Sequence, residues 1–428
     1  MTPAVGPREA VRMLVVAAGK GAQECPLTAL PELLGDALIV INDAATLPAS
    51  LPAIVRGEPV ELRLASTRPW RAVLFGVGDW RTPTELRPGP PRVVVGDVFS
   101  IGEMRATILA IEAPRLLTLA FDLTGDALVH ALYQHGRPIQ YSYLRDALPL
   151  WAIQTPFAGR PWAVETPSAG RALPWSVTSR LRVATLTHGA GLSSTGDTAL
   201  DARFPLPERY DIPQRTVTAV HAARAEGREI VAVGTSVVRA LEGNVAAHGQ
   251  LRHGEGLTDL RIGPSFQPRV VTSLLTGLHE EGTSHYDLLR GLFGQPLLDL
   301  GAAHLAGHGE HPWLGHEFGD VALYRAARQL DHETAPTGNT RFITDRSGVV
   351  RGDLSRQGES KSNTSATPLP MPADPEPRLE NPLPLCIRNA GPVVFHNYAG
   401  ATRCRGDGND HVLPVSARVF DEIPQHAS

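Results

Sequence analysis

The chain has 428 residues, 42% hydrophobic and 20% charged, with a formal net charge of −4, a composition that suits a soluble protein of two or three globular domains. No apolar run reaches the eighteen or so residues that span a bilayer, and the net charge excludes a global attraction to nucleic acid. Lys20 and Lys361 are the only lysines, which excludes a Schiff-base enzyme with its lysine in the main body.

Near the N-terminus, "RMLVVAAGKG" has a basic flank, but its apolar part is short and no small-residue cleavage pattern follows. A cytoplasmic protein is expected. Lys20 in "VAAGKGAQ" lacks the earlier glycine and the following Ser or Thr of a P-loop. Cys25, Cys386 and Cys404 include no C-x-x-C pair, so no disulfide framework is expected.

"DALIVINDAATLPASLPA" predicts a buried strand over 38–41 and a polar turn at Asn42 and Asp43. From about 58 to 134 the pattern becomes short alternating or apolar runs: "PVELRLAS", "RAVLFGV", "RVVVGDVFSI", "RATILAIEA" and "LLTLAFDL". Pro and Gly separate them at short intervals, which suggests an antiparallel barrel or sandwich. The stretch 137–182 carries Arg137, Arg145, Arg160, Arg171, Arg180 and Arg182 against Asp146 and Glu165, a solvated arginine-rich face or a patch able to meet phosphates.

From 138 to 324 the character is α/β. "TVTAVHAARAEG" predicts a helix ending in a C-cap glycine, "EIVAVG" a strand and "SVVRALEGNVAAHG" a helix. "YDLLRGLFG" is a further helix and "GDVALY" a closing strand, an order that favours a mixed or parallel sheet. Residues 353–384 are rich in Pro, Ser, Asp and Glu and read as a disordered linker. The tail "LCIRNAGPVVFHNYAGATRCRG" has room for two or three strands.

In "VAVGTSVVRALEG", Gly234 permits a tight turn after the strand, and Thr235 or Ser236 is placed to cap the helix. Amides at such a helix start attract anions or polar ligand atoms. Arg239 and Glu242 share a helix face, which on pattern alone is an ordinary surface ion pair. "ETPSAG" and "THGAGLSS" are Gly- and hydroxyl-rich loops after apolar segments, a pattern that ordinary turns also use. "TSLLTGLHEEGTSH" places Thr276, His279 and Glu280 in a turn before a helix, where a histidine is either structural or able to move protons. No metal is expected. His304, His308, His311 and His316 share no helical face and form no H-E-x-x-H, and Cys386, His396, Cys404 and His411 have spacings unlike zinc modules.

Taken in order, these stretches resemble the S-adenosylmethionine:tRNA ribosyltransferase-isomerase family. "ALIVINDAATLPASL" resembles its early strand, Asn and Pro-containing turn, "ETPSAG" its Pro-Thr-Ala-Gly loop, and "HGAG" its Gly-Ala-Gly loop. "VAVGTSVVRALEG" resembles its Val-Gly-Thr-Thr strand-turn-helix, "FQPRVVTSLLTGLHEEGTS" its Phe-His-Leu-Pro stretch, and "EFGDVALY" its closing Tyr-Gly-Asp strand. The similarity covers about 30–325. Differences stand at Arg171-Ala172-Leu173 (Leu-His-Phe in the family), His188 (displaced by one), Leu192-Ser193 (Thr-Phe), Gly277 (Asn) and Glu280-Glu281 (Leu-Pro).

The resemblance implies a mixed-sheet α/β main domain (1–57 and 136–330) with an inserted antiparallel β-barrel domain (58–135), then a linker (331–384) and a small C-terminal extension (385–428). It implies transfer and isomerisation of the ribosyl part of S-adenosylmethionine onto 7-aminomethyl-7-deazaguanine in tRNA, giving epoxyqueuosine and releasing adenine and methionine. S-adenosylmethionine is then a co-substrate, with no bound cofactor and no membrane partner, and the chain is expected to be a monomer. His279 and His188 become the proton-transfer candidates and Arg239 the group that orients substrate. Thr166, Ser168, Gly170, Gly189, Gly191, Gly234, Thr235, Ser236 and Thr276 become the substrate-binding candidates. The altered loops leave two alternatives, a paralogue that uses S-adenosylmethionine on another acceptor and a noncatalytic tRNA or nucleoside binder.

Overall fold

The computed structural model describes residues 11–144, 146–307, 313–315 and 318–326, and the backbone of three strands between 395 and 413. The chain divides into two units, Met1–Thr337 and Gly338–Ser428.

In the first unit the opening strands are β1 (Arg12–Ala17), β2 (Gly21–Pro26), β3 (Leu38–Asn42) and β4 (Ala44–Thr46). A run of short strands follows: β5 (Ser50–Val55), β6 (Glu58–Thr67), β7 (Trp70–Phe75), β8 (Val98–Ile101), β9 (Met104–Ala113) and β10 (Leu116–Phe121). The remainder are β11 (Arg160–Ala163), β12 (Arg182–His188), β13 (Glu208–Ile212), β14 (Ile230–Val233), β15 (Gly254–Thr258), β16 (Ser273–Gly277) and β17 (Val321–Arg325).

Strands β5 to β10 close into an antiparallel barrel in the order β10-β7-β6-β5-β8-β9, which resolves the barrel-or-sandwich choice in favour of the barrel. Closure pairs every backbone edge. The barrel starts at Ser50, in a strand whose exposed Pro52 sits among buried Leu51, Ala53 and Val55. Of "RVVVGDVFSI" only Val98–Ile101 is strand; Arg92 to Val95 follow a Pro-Pro pair and lie outside the ladder.

The remaining large sheet is nine-stranded and mixed, in the order β15-β13-β12-β3-β14-β16-β17-β1-β2. Its central strands β12, β3, β14 and β16 are mutually parallel. β14 explains why they read as continuous apolar runs. Ile230 and Ala232 pack into one core beneath the helices Gln214–Ala225 and Thr235–His248, and Val231 and Val233 into a second core on the opposite face. The four strands therefore end at one edge, where open α/β sheets present their ligand sites.

The polar turn expected at Asn42 and Asp43 is the link between β3 and β4, where the Ala44 amide donates to Asn42 Oδ1 at 3.0 Å, but Asn42 is buried there and not solvated. Asn42 is the last residue of β3 and is 2% exposed, because its carboxamide bonds the backbone of a neighbouring strand instead of water. The second unit contains a three-stranded antiparallel sheet, Phe395–Tyr398, Ala401–Gly406 and Asn409–Leu413. The proposed linker over 353–384 lies outside the described residues. Among the described residues no helix is long and apolar enough to cross a membrane.

Candidate active site

Four parallel strands deliver the candidate residues to one edge: Asn42 ends β3, His188 ends β12, Gly234 follows β14, and Thr276 stands one residue from the end of β16. Asn42 ties three of these segments together. Its Nδ2 donates to the His188 carbonyl (2.9 Å) and the Ser236 hydroxyl (3.2 Å), and its Oδ1 accepts from the His188 and Ala44 amides (2.9 and 3.0 Å). All of this is buried, so each bond replaces one that water cannot supply.

Glu208, the first residue of β13, sits beneath this clasp and is 7% exposed. One carboxylate oxygen accepts from the Gly191 amide at 2.7 Å. The other lies 3.2 Å from His188 Nε2 and 3.2 Å from an Arg239 guanidinium nitrogen. Burial raises the carboxyl pKa, but Arg239, His188 and the Gly191 amide outweigh it and hold the group ionised, with its pKa lowered to about 2. Neither ring nitrogen of His188 makes a well-aligned hydrogen bond, nor do Nε and one terminal nitrogen of Arg239, so the contacts to Glu208 are electrostatic ones.

The glycines of this loop are required by close approach. A Cβ on Gly191 would stand 2.7 Å from the Ala65 carbonyl oxygen of the barrel and 3.3 Å from Glu208, and one on Gly189 would stand 2.9 Å from the Trp162 carbonyl oxygen. The Gly-Ala-Gly loop is thus wedged between barrel and sheet.

His279 Nε2 lies 2.9 Å from the Thr276 hydroxyl, and its ring stacks on His285 with centroids 4.8 Å apart. Burial, then the neighbouring His285, push the His279 pKa down to about 3, so the ring is neutral at ordinary pH. His285 is also shifted down, by burial and then by Arg239, with Glu208 opposing. The two half-buried rings thus share an electrostatic neighbourhood with the Glu208–Arg239 pair.

The 166–170 loop completes the group. The Thr46 hydroxyl donates to Thr166 at 3.3 Å, and Thr166 and Ser168 are both half-buried. Gly170 packs against the Phe157 ring, while a Cβ on Gly234 would lie 3.6 Å from that of Ala169, which brings this loop against the turn after β14. Glu165 at the head of the loop accepts from the Tyr141 hydroxyl, and burial raises its pKa.

Gly234 has a φ of 85°, a conformation that strains any side-chain-bearing residue, and it is the N-cap of the helix Thr235–His248. No side chain caps this helix, which corrects the expectation for Thr235 and Ser236. Thr235 is already the first helical residue, and the Ser236 hydroxyl is engaged by Asn42. The surface ion pair expected between Arg239 and Glu242 does not form. Both are buried; Arg239 meets Glu208, and Glu242 accepts from the backbone amides of Arg269, Val270 and Val271 at 2.8–2.9 Å. Thr276 belongs to strand β16, not to the turn before the helix Ser284–Phe293.

Nor do the arginines over 137–182 make one patch: Arg171 is buried and donates to the Ala152 carbonyl, Arg160 pairs with Asp211, and Arg180 pairs with Glu32. Among the described residues no three His, Cys, Asp or Glu side chains form a metal-binding group. His308, His311, His316 and Cys386 lie outside the described residues, as do the side chains of His396, Cys404 and His411.

Glu208 and His285 carry no motif of their own. In "PERYDI" the only hint is a charged residue at a buried position of an alternating strand.

The model of the queuosine biosynthesis protein family matches residues 2–323. The chain belongs to the queuosine biosynthesis protein family. Among its curated relatives is the S-adenosylmethionine:tRNA ribosyltransferase-isomerase of Methylobacterium sp. (strain 4-46), 32% identical over 344 residues that cover 74% of this chain and 93% of that protein. The enzyme of the same name from Thermus thermophilus is 31% identical over 295 residues, 64% of this chain and 82% of that one. A crystal structure of S-adenosylmethionine tRNA ribosyltransferase from Thermotoga maritima aligns with a TM-score of 0.40 and 21% identity over 76% of this chain and 95% of that chain. The family match spans both the barrel and the edge of the mixed sheet that holds the candidate site.

Proposed function

We propose that this chain transfers the ribosyl part of S-adenosylmethionine to the 7-aminomethyl-7-deazaguanine base of a tRNA and isomerises it to epoxyqueuosine, releasing adenine and methionine. Family membership supports the reaction class. The observation that carries the assignment to this edge of the sheet is the convergence of His188, Glu208, Arg239, His279 and Ser236 at the ends of the parallel strands.

The chemistry asks for removal of an acidic proton beside the sulfonium and for stabilisation of adenine as it leaves. His279 is neutral, half-buried and hydrogen-bonded to Thr276, and in this reading it is the proton-transfer group that the substrate meets. His188 is completely enclosed. It acts from below, fixing the Glu208 charge that in turn sets the Arg239 guanidinium. Arg239, held to Glu208 through one terminal nitrogen, orients the substrate with the other. The turn Gly234, Thr235 and Ser236, Thr276, and the 166–170 and 189–191 loops hold the nucleoside.

A second reading, the same co-substrate with a different acceptor, is favoured by exposed Glu280 and Glu281 directly after His279. Two carboxylates there repel phosphate and attract an amine.

Chromatography of adenine decides between them. Purified protein is mixed with S-adenosylmethionine, with and without tRNA carrying the 7-aminomethyl-deazaguanine base. Adenine that appears only with that tRNA, together with the epoxyqueuosine mass, supports the main reading. Adenine released only with another amine supports the second. No adenine where a family enzyme turns over leaves a binding protein.

A further inference from the structure

Beside the 189–191 loop three guanidinium groups converge from three separate elements: Arg68 from the turn between β6 and β7, Arg160 from β11 and Arg209 from β13. Arg209 lies over the ring of Trp162 at 3.2 Å from its centroid, and Arg160 stands 5.1 Å from the same ring. Stacking of this kind fixes the plane of a guanidinium while leaving its N–H edge for an anion. Two carboxylates answer the three cations. Asp211 pairs with Arg160, whereas Glu255 is shared between Arg68 at 3.6 Å and Arg209 at 3.7 Å, both beyond hydrogen-bond length. Arg209 Nε makes no hydrogen bond within the protein. Burial, then the neighbouring Arg68, lower the Arg209 pKa to about 10, with Glu255 opposing.

Position adds to charge. The Gly189 amide donates to the Arg209 carbonyl at 2.9 Å, and Gly189 directly follows His188. The cluster therefore borders the candidate site, with the side chains of Arg68 and Arg160 65% and 50% exposed.

We propose that Arg68, Arg160 and Arg209, the last two set against Trp162, form the docking surface for the phosphodiester backbone of the RNA acceptor, holding it so that one base reaches the adjoining edge of the sheet. This rests on the tRNA reading above. On a chain of net charge −4, such a local surplus of arginine supplies the electrostatic attraction that the whole molecule lacks. The shared Glu255 acts as a counter-charge that an incoming phosphate displaces.

The test is the affinity for full-length tRNA, measured across a salt series without S-adenosylmethionine, for the wild-type chain, Arg68→Gln/Arg160→Gln and Glu255→Gln. The double variant is expected to bind about tenfold more weakly, with a salt slope shallower by about 1.5, since each lost phosphate contact removes roughly 0.7–0.9. Glu255→Gln is expected to bind about threefold more tightly, an increase that a merely structural role does not produce. Wild-type binding with both variants unchanged in affinity and slope overturns this surface and leaves the acceptor assignment standing. A wild-type chain that binds no tRNA at any salt removes the assignment on which the surface depends.

Discussion

The Glu208 carboxylate stands 3.2 Å from the Arg239 guanidinium and the same distance from His188 Nε2, joining the first residue of β13 to the second turn of the helix after β14 and to the end of β12. A buried guanidinium in such a place is stable only while its carboxylate partner keeps its charge.

Glu208→Gln therefore leaves Arg239 unpaired and is expected to cost about 3–5 kcal/mol of stability, the usual penalty for removing one member of a buried pair. The shift in urea midpoint measures it. Adding Arg239→Met should recover part of the loss, because the uncompensated charge disappears; a double variant as unstable as the sum of the singles would show that the two residues do not act on each other.

His279→Ala is expected to lower the rate of adenine release by about 10²–10⁴-fold, the range for loss of a positioned acid or base, with the thermal midpoint unchanged. Thr276→Val removes only the hydroxyl 2.9 Å from Nε2, and its effect should be smaller. Full activity in His279→Ala would remove this histidine from the mechanism.

The pKa shifts set an acid limit to stability. The unfolded chain protonates a histidine near pH 6.5, whereas folded His279 resists to about 3. Between those values the unfolded state binds the extra proton, so stability falls with pH, by up to about 1.4 kcal/mol per unit. Glu208 adds a loss at lower pH, between its ordinary 4.5 and its folded value of about 2. Urea midpoints from pH 8 to pH 4 should decline below about 6.5, and His279→Asn should flatten the upper part of that decline.

Gly191→Ala places a methyl group 2.7 Å from the Ala65 carbonyl oxygen, a backbone atom that cannot swing aside. Overpacking of this kind costs about 1–3 kcal/mol. The same methyl presses on Glu208 at 3.3 Å, so adenine release is expected to fall more than stability alone explains. Gly254→Ala, where nothing lies within 4 Å but φ is 109°, is the control for backbone strain without a clash.

How much of this was legible in the chain follows from the range of the interactions. The helix Thr235–His248, the glycine turn at Gly234 and the strand β14 are local patterns of apolar spacing and turn chemistry, and they read directly. The fate of each polar residue did not. Asn42 looked like a turn former, Thr235 or Ser236 like a cap, and Arg239 with Glu242 like a surface pair, because those are the partners available within four residues. Asn42 does bond the nearby Ala44 amide, but the remaining partners are His188 and Glu208, or the amides of Arg269 to Val271, from distant strands and loops.

By itself the sequence determined a mixed α/β body, a β-rich insertion and a set of glycine loops, since periodicity, propensity and glycine geometry act within a few residues. Only the tertiary structure decided which side chains form the site. Parallel strands from separate parts of the chain end at one sheet edge, and there burial makes every polar group find a partner or pay its desolvation. Which partner that is depends on strand order, and strand order is written in no single stretch of the chain.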